Sequence, residues 1–226
     1  IRDSSCAAHG NKLFVIGGRD REQPETALNT IYMLDTTPDT DKMKWVSLPP
    51  FPGEGRILST AAVCDSTLFI IGGCSLSRDN SGETSRTYLS DMIGYDMTSK
   101  DPSKWGSSGR QQLAGPGMPV AAAAGPAPVR ENSILLIGGD KRGNSPAPSR
   151  PVVQSRDILV YDVIGNTWTR QGEWPVGIAT VPAVVRGSEI MTISGETAPG
   201  VRTPVNASAS AGYHFEMSTV DYAVLI

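Results

Sequence analysis

Hydrophobic positions along the chain come in short runs, and the runs recur in one order. Ser-Ile-Leu-Leu-Ile at 133–137 ends in Gly138-Gly139. After a polar stretch, Asp-Ile-Leu-Val-Tyr-Asp at 157–162 ends in an aspartate, and after a short turn Trp168 opens a third run. Upstream, 13–18, 31–35 and Trp45 follow the same order, as do 68–73, 93–96 and Trp105. A fourth copy at 190–195 has Ser194 in place of the first glycine and lacks the Tyr-Asp and the tryptophan. Gly17, Gly72, Gly138 and Ser194 stand 55, 66 and 56 residues apart. Apolar runs this short, bounded by Gly, Pro, Asn and Asp, predict strands.

Four strands per repeat are expected, and the first repeat (1–55) shows them best: 4–9, 12–18, 30–35 and 44–48, with Gly10-Asn11 as the first hairpin turn. The second (56–119) has 58–64 and 67–73 about Asp65-Ser66, a long polar loop over 74–89, a strand over 91–96 and a last strand marked by Trp105. In the third (120–178) the innermost strand is read at Ala121-Ala122-Ala123-Ala124, and 143–151 as a surface loop. The fourth (179–212) begins with strands at 180–185 and 189–194, and 206–211 is a candidate third. Continuous apolar runs suit small sheets that bury both faces. The glycine pairs suit strand ends that turn with positive φ while a neighbour approaches closely. Each tryptophan suits a large buried plate.

A period near fifty with these markers resembles the kelch repeat. The resemblance covers nearly the whole chain. It implies an all-β fold, a kelch-type β-propeller of four-stranded blades. About four repeats are present, three full copies and one partial.

Composition narrows the function. Net charge is −3 with no long charged run, which disfavours nucleic acid as a partner. Cys6, Cys64 and Cys74 have no metal-ligand spacing and read as small buried residues. His9 reads as structural, and with His214 far away in sequence the histidines do not suit a copper-radical oxidase on this scaffold. No metal or cofactor is expected.

The last repeat departs from the others where chemistry would sit. After its strand comes Ser-Gly-Glu-Thr-Ala-Pro-Gly-Val-Arg-Thr-Pro at 194–204. This string resembles the hallmark of the cyclically permuted mutarotases, a kelch group that includes the N-acetylneuraminate epimerases. The resemblance implies Glu196 and Arg202 as the catalytic pair, with Pro199-Gly200 turning between them. A carboxylate can move the anomeric proton, and a guanidinium fork can grip the carboxylate of an acidic sugar such as sialic acid. Spacing alone leaves open an ion pair that staples the loop. Arg56, just before an innermost strand, and Asp140, just after a double glycine, are expected to join Glu196 and Arg202 on one face as substrate-binding residues. The competing function is a non-enzymatic kelch module that binds another protein.

That family's propeller has six blades, so two blades' worth of sequence is expected to be missing here. The end of the chain, 213–226, turns apolar after Ser218. It resembles the start of the first membrane helix of sodium:solute symporters, which implies a membrane tether or transporter domain and a periplasmic or other extracytoplasmic propeller. An ordinary closing strand is the other reading of the same stretch.

Overall fold

The computed structural model of the protein describes residues 1–21, 25–105, 123–141, 153–211 and 215–220. It forms two compact units, Ile1–Ala123 and Ala124–Ile226. Among the described residues, all regular structure apart from two short 3-10 turns is β.

In the first unit, strands β1 (Ser5–His9), β2 (Lys12–Ile16), β3 (Ile31–Asp35) and β4 (Trp45–Leu48) form one antiparallel sheet in chain order. In the second repeat β5 (Thr60–Cys64) and β6 (Thr67–Ile71) pair, and β9 (Met92–Asp96) adds to β6. Between them β7 (Cys74–Arg78) and β8 (Thr84–Tyr88) form a hairpin of their own. The polar loop expected over 74–89 is therefore a pair of strands. Its cue was an alternation, with Cys74, Leu76 and Tyr88 buried between serines and threonines. Asp79 builds the tip by accepting the N–H groups of Ser81 and Glu83. One core joins the two repeats: Phe14, Ile16 and Ile31 pack with Leu68, Ile70, Tyr95 and Trp105.

In the second unit, β10 (Val129–Arg130), β11 (Ser133–Ile137), β12 (Asp157–Asp162) and β13 (Thr167–Glu173) form an antiparallel sheet. The innermost strand of this repeat is not the alanine run. Ala121 and Ala122 lie outside the described residues, as do 143–151. Ala124 has φ 58, and the N–H groups of Leu135 and Ile137 bond to the carbonyls of Pro128 and Pro126. The two prolines lack an N–H and still serve as acceptors there. The last sheet has the order β14 (Ala183–Arg186), β15 (Glu189–Ile193), β18 (Asn206–Ala211), β19 (Phe215–Val220). Between β15 and β18 stands a hairpin of β16 (Glu196–Ala198) and β17 (Val201–Arg202). Strand β19 lies beyond residue 212, where the repeats were expected to end, and closes this sheet as a fourth strand. Residues 221–226, the remainder of the expected membrane segment, lie outside the described residues. No helix among the described residues is long and apolar enough to cross a membrane.

The tryptophans divide. Trp105 is buried, whereas Trp45 is 51% exposed and so is no interface plate. The largest fully buried side chain is Trp174, whose Nε1–H donates to Thr192 Oγ1 at 3.1 Å. Cys6 is exposed, unlike Cys64 and Cys74.

One backbone device repeats. Asp3, Leu58, Ala124 and Thr180 have φ of 55, 54, 58 and 53, at the same spacing as Gly17, Gly72, Gly138 and Ser194. Each of the four lies just before an innermost strand. The N–H of Leu58 donates to Asp3 O, and that of Thr180 to Ala124 O, both at 2.8 Å. The glycines meet the neighbouring repeat: a Cβ on Gly17 would stand 2.5 Å from Arg56 O, and one on Gly138 2.4 Å from Ile178 O. The recurring aspartate has a local cause as well. Asp35, Asp96 and Asp162 each accept the N–H two residues on, which starts the turn into the last strand.

Candidate functional site

The residue just after each glycine pair is Arg19, Cys74, Asp140 or Glu196. Arg19 bridges to Arg2, Cys74 to Ile57 and Glu196 to Ala179, each in the segment before an innermost strand, and Asp140 also lies in a bridge. In the last repeat the bridge consists of two bonds, Ala179 N–H to Glu196 O and Glu196 N–H to Ala179 O, each 2.9 Å. The hairpin β16–β17 then places Arg202 directly opposite Glu196, so the two side chains leave the same face.

Glu196 and Arg202 meet as expected. Glu196 Oε2 is 3.7 Å from Arg202 Nη2, and its other oxygen accepts Gly200 N–H at 3.2 Å. The Glu196 side chain is 20% exposed and that of Arg202 61%. A third residue, which sequence reasoning missed, joins them. Thr180 Oγ1 accepts Arg202 Nη1–H at 2.9 Å and donates to Glu196 Oε2 at 3.4 Å, and Thr180 O accepts from Nη1 at 3.5 Å. Its signal was the repeat arithmetic, because position 180 matches 3, 58 and 124. Nε and Nη2 of Arg202 make no hydrogen bond among the described residues, and Nη2 is the atom 3.7 Å from Glu196 Oε2. Gln154 is buried alongside. Its N–H donates to Thr197 O at 2.9 Å, and its Oε1 has no partner among the described residues.

Arg56 and Asp140, the other two expected site residues, are both buried. Arg56 is 1% exposed. Its guanidinium makes two bonds to Asp91, at 2.8 and 3.0 Å, and one to Gly72 O, at 3.1 Å. It also lies over the Phe51 ring. These contacts make it a strut between repeats. Asp91 and Gly72 O supply the partners that a buried guanidinium needs, and removing Asp91 would strand its charge. Asp140 is also buried. The open carboxylate of its repeat is Asp157, which binds Lys141 at 2.6 Å and Arg170 at 2.7 Å; these cations hold its pKa down to about 2.

A staple is a weak reason for the Glu196–Arg202 pair. A solvent-exposed pair this loose contributes about 0–1 kcal/mol. The hairpin is already tied by main-chain bonds, including Thr203 N–H to Gly195 O at 2.9 Å.

The chain is similar to known proteins in sequence and in fold. The Kelch motif matches residues 2–52. The N-acetylneuraminate epimerase of Yersinia enterocolitica is 25% identical over 193 residues, covering 73% of this chain and 47% of its own. N-acetylneuraminate epimerase 1 of Escherichia coli O6:H1 is 26% identical over 201 residues, covering 77% and 50%. These likenesses support the kelch mutarotase family for this chain. It spans about half the length of these relatives. A solved structure, that of YjhT, superimposes with a TM-score of 0.71 at 20% identity, over 97% of this chain and 65% of that one. The likeness identifies the sheets described above as blades of a kelch-type propeller.

Proposed function

We propose that the Glu196–Arg202 hairpin is the reactive part of a mutarotase for carboxylated sugars such as N-acetylneuraminate. The observation that carries this reading is the division of labour in Arg202: Nη1 is held by Thr180, while the Nε–Nη2 edge is open beside the Glu196 carboxylate. That edge can take a carboxylate through two parallel N–H···O bonds. The names of the relatives support an acidic sugar as the substrate class. The chain's half-length match means that groups outside it can contribute to the full site.

Mutarotation opens a cyclic hemiketal to a ketone and recloses it on the other face. Opening moves the anomeric hydroxyl proton to a base, the ring C–O bond breaks, and the ring oxygen gains a proton. Reclosure reverses these transfers after the carbonyl has turned. Glu196 acts on the anomeric proton, directly or through water, while Arg202 fixes the carboxylate on the same carbon. An extracytoplasmic location, with a membrane tether beyond the last blade, fits a protein that meets free sugar acids and belongs to the same proposal.

Saturation-transfer NMR between the anomers of N-acetylneuraminate tests the reading. Glu196→Gln should slow exchange by roughly 10²-fold or more with binding retained. Arg202→Lys should mainly weaken binding, because charge remains but the fork is lost. Unchanged exchange in Glu196→Gln removes that residue from the mechanism.

A further inference from the structure

We propose that Thr180 is the positioning residue that presents Arg202 to a ligand carboxylate, and that it makes the site selective for acidic over neutral sugars. The proposal rests on the carboxylate-binding reading of Arg202 above. Three observations carry it. Thr180 is the residue that bonds the Arg202 guanidinium among the described residues, through both its hydroxyl and its carbonyl. Those bonds use only Nη1, so they leave free the edge that suits a carboxylate. The same hydroxyl donates to Glu196 Oε2, so one side chain sets the distance between the acid and the cation.

The backbone states what this placement costs. A β-branched residue at φ 53 is strained, because its Cβ crowds the chain where glycine would not. The turn itself belongs to the repeat, since Asp3, Leu58 and Ala124 make it too. The choice of threonine does not follow from the turn, which glycine would make with less strain. Nor does it follow from packing, because Thr180 is exposed. Its bonds to Arg202 and Glu196 give that choice a reason. Arg202 is a long exposed side chain, and it would otherwise sample several rotamers and bind a carboxylate only after losing that freedom.

The test compares N-acetylneuraminate with its uncharged methyl ester on the full chain, by equilibrium binding and by anomer exchange. Thr180→Val keeps the shape and the backbone strain but lacks the hydroxyl. It should reduce the acid-to-ester affinity ratio by about 10-fold or more, the low end for a lost hydrogen bond to a charged group. The apparent KM for exchange should rise with kcat little changed. Thr180→Ser should restore the ratio. Thr180→Gly should show the same loss while melting about 2–4 °C higher, since it relieves the strained turn, and this outcome separates lost positioning from misfolding. In the free protein, 15N relaxation of Arg202 Nε should report a more mobile guanidinium in Thr180→Val than in wild type. A wild-type ratio well above one that Thr180→Val leaves unchanged overturns this proposal alone. A wild-type ratio of one overturns the carboxylate reading of Arg202 as well, and this proposal with it.

Discussion

Asp157 shows how one carboxylate can set the acid limit of a blade. Lys141, only 14% exposed, binds it at 2.6 Å, and Arg170 reaches it from β13. Its folded pKa of about 2 lies below the ordinary value of 3.8. The pair therefore contributes stability that is fully present above about pH 4 and is lost as pH falls toward 2. Much of Arg170 is in solvent, so the contribution is about 1 kcal/mol rather than the full value of the shift. Asp157→Asn should lower stability at pH 7 by about 1–2 kcal/mol, because it also leaves Lys141 without its partner. It should flatten the loss of stability between about pH 4 and 2, measured by urea unfolding at a series of pH values. An acid limb as steep as that of the wild type would show that other carboxylates govern it. The Glu196–Arg202 pair is looser, at 3.7 Å, so substitutions there should affect ligand chemistry far more than folding.

At the scale of elements, the glycine pairs and the two-residue hairpins share one requirement for positive φ but differ in what surrounds them. Gly10, in the turn between β1 and β2, has φ 54 and nothing within 4 Å of a built Cβ. Gly138 has φ 64, and its Cβ would lie 2.4 Å from Ile178 O and 2.9 Å from Ser155 O, both main-chain atoms. Gly10→Ala should therefore cost only the strain of the turn, about 1 kcal/mol. Gly138→Ala should cost about 3 kcal/mol or more, because backbone on both sides must move. Denaturant midpoints would compare them, and equal costs would show that close approach is not what the glycine pairs provide. Ser194 in the last repeat fits this account. It holds φ 65 as a non-glycine residue in the one repeat whose following loop became the hairpin of Glu196 and Arg202.

At the scale of the molecule, a net charge of −3 offers an anionic sugar no long-range attraction. The proposed function then rests on the local fork of Arg202 for binding. Raising salt from about 50 to 200 mM should then weaken binding of N-acetylneuraminate by less than about threefold, as measured by calorimetry. A much steeper dependence would mean that several cations contribute. The chain's repeats were legible in its sequence because they rest on local chemistry: glycine at positive φ, aspartate starting a turn, and apolar runs too short for helices. The Glu196–Arg202 pair was legible too, because a tight hairpin brings together residues six apart. The β7–β8 hairpin was hidden by its polarity, although its alternation was present. Tertiary structure alone decided the rest. Arg56 was expected among the substrate-binding residues, and only the fold brought Asp91, 35 positions later, to meet it in the interior. Trp45, expected as a buried plate, is exposed, since burial depends on which face a neighbouring strand covers. Thr180 joined the site only because the backbone turned left-handed before β14 and passed beside a hairpin that begins sixteen residues later. Hydrogen bonds between separate strands depend on where the chain is carried, and no local pattern of residues encodes that.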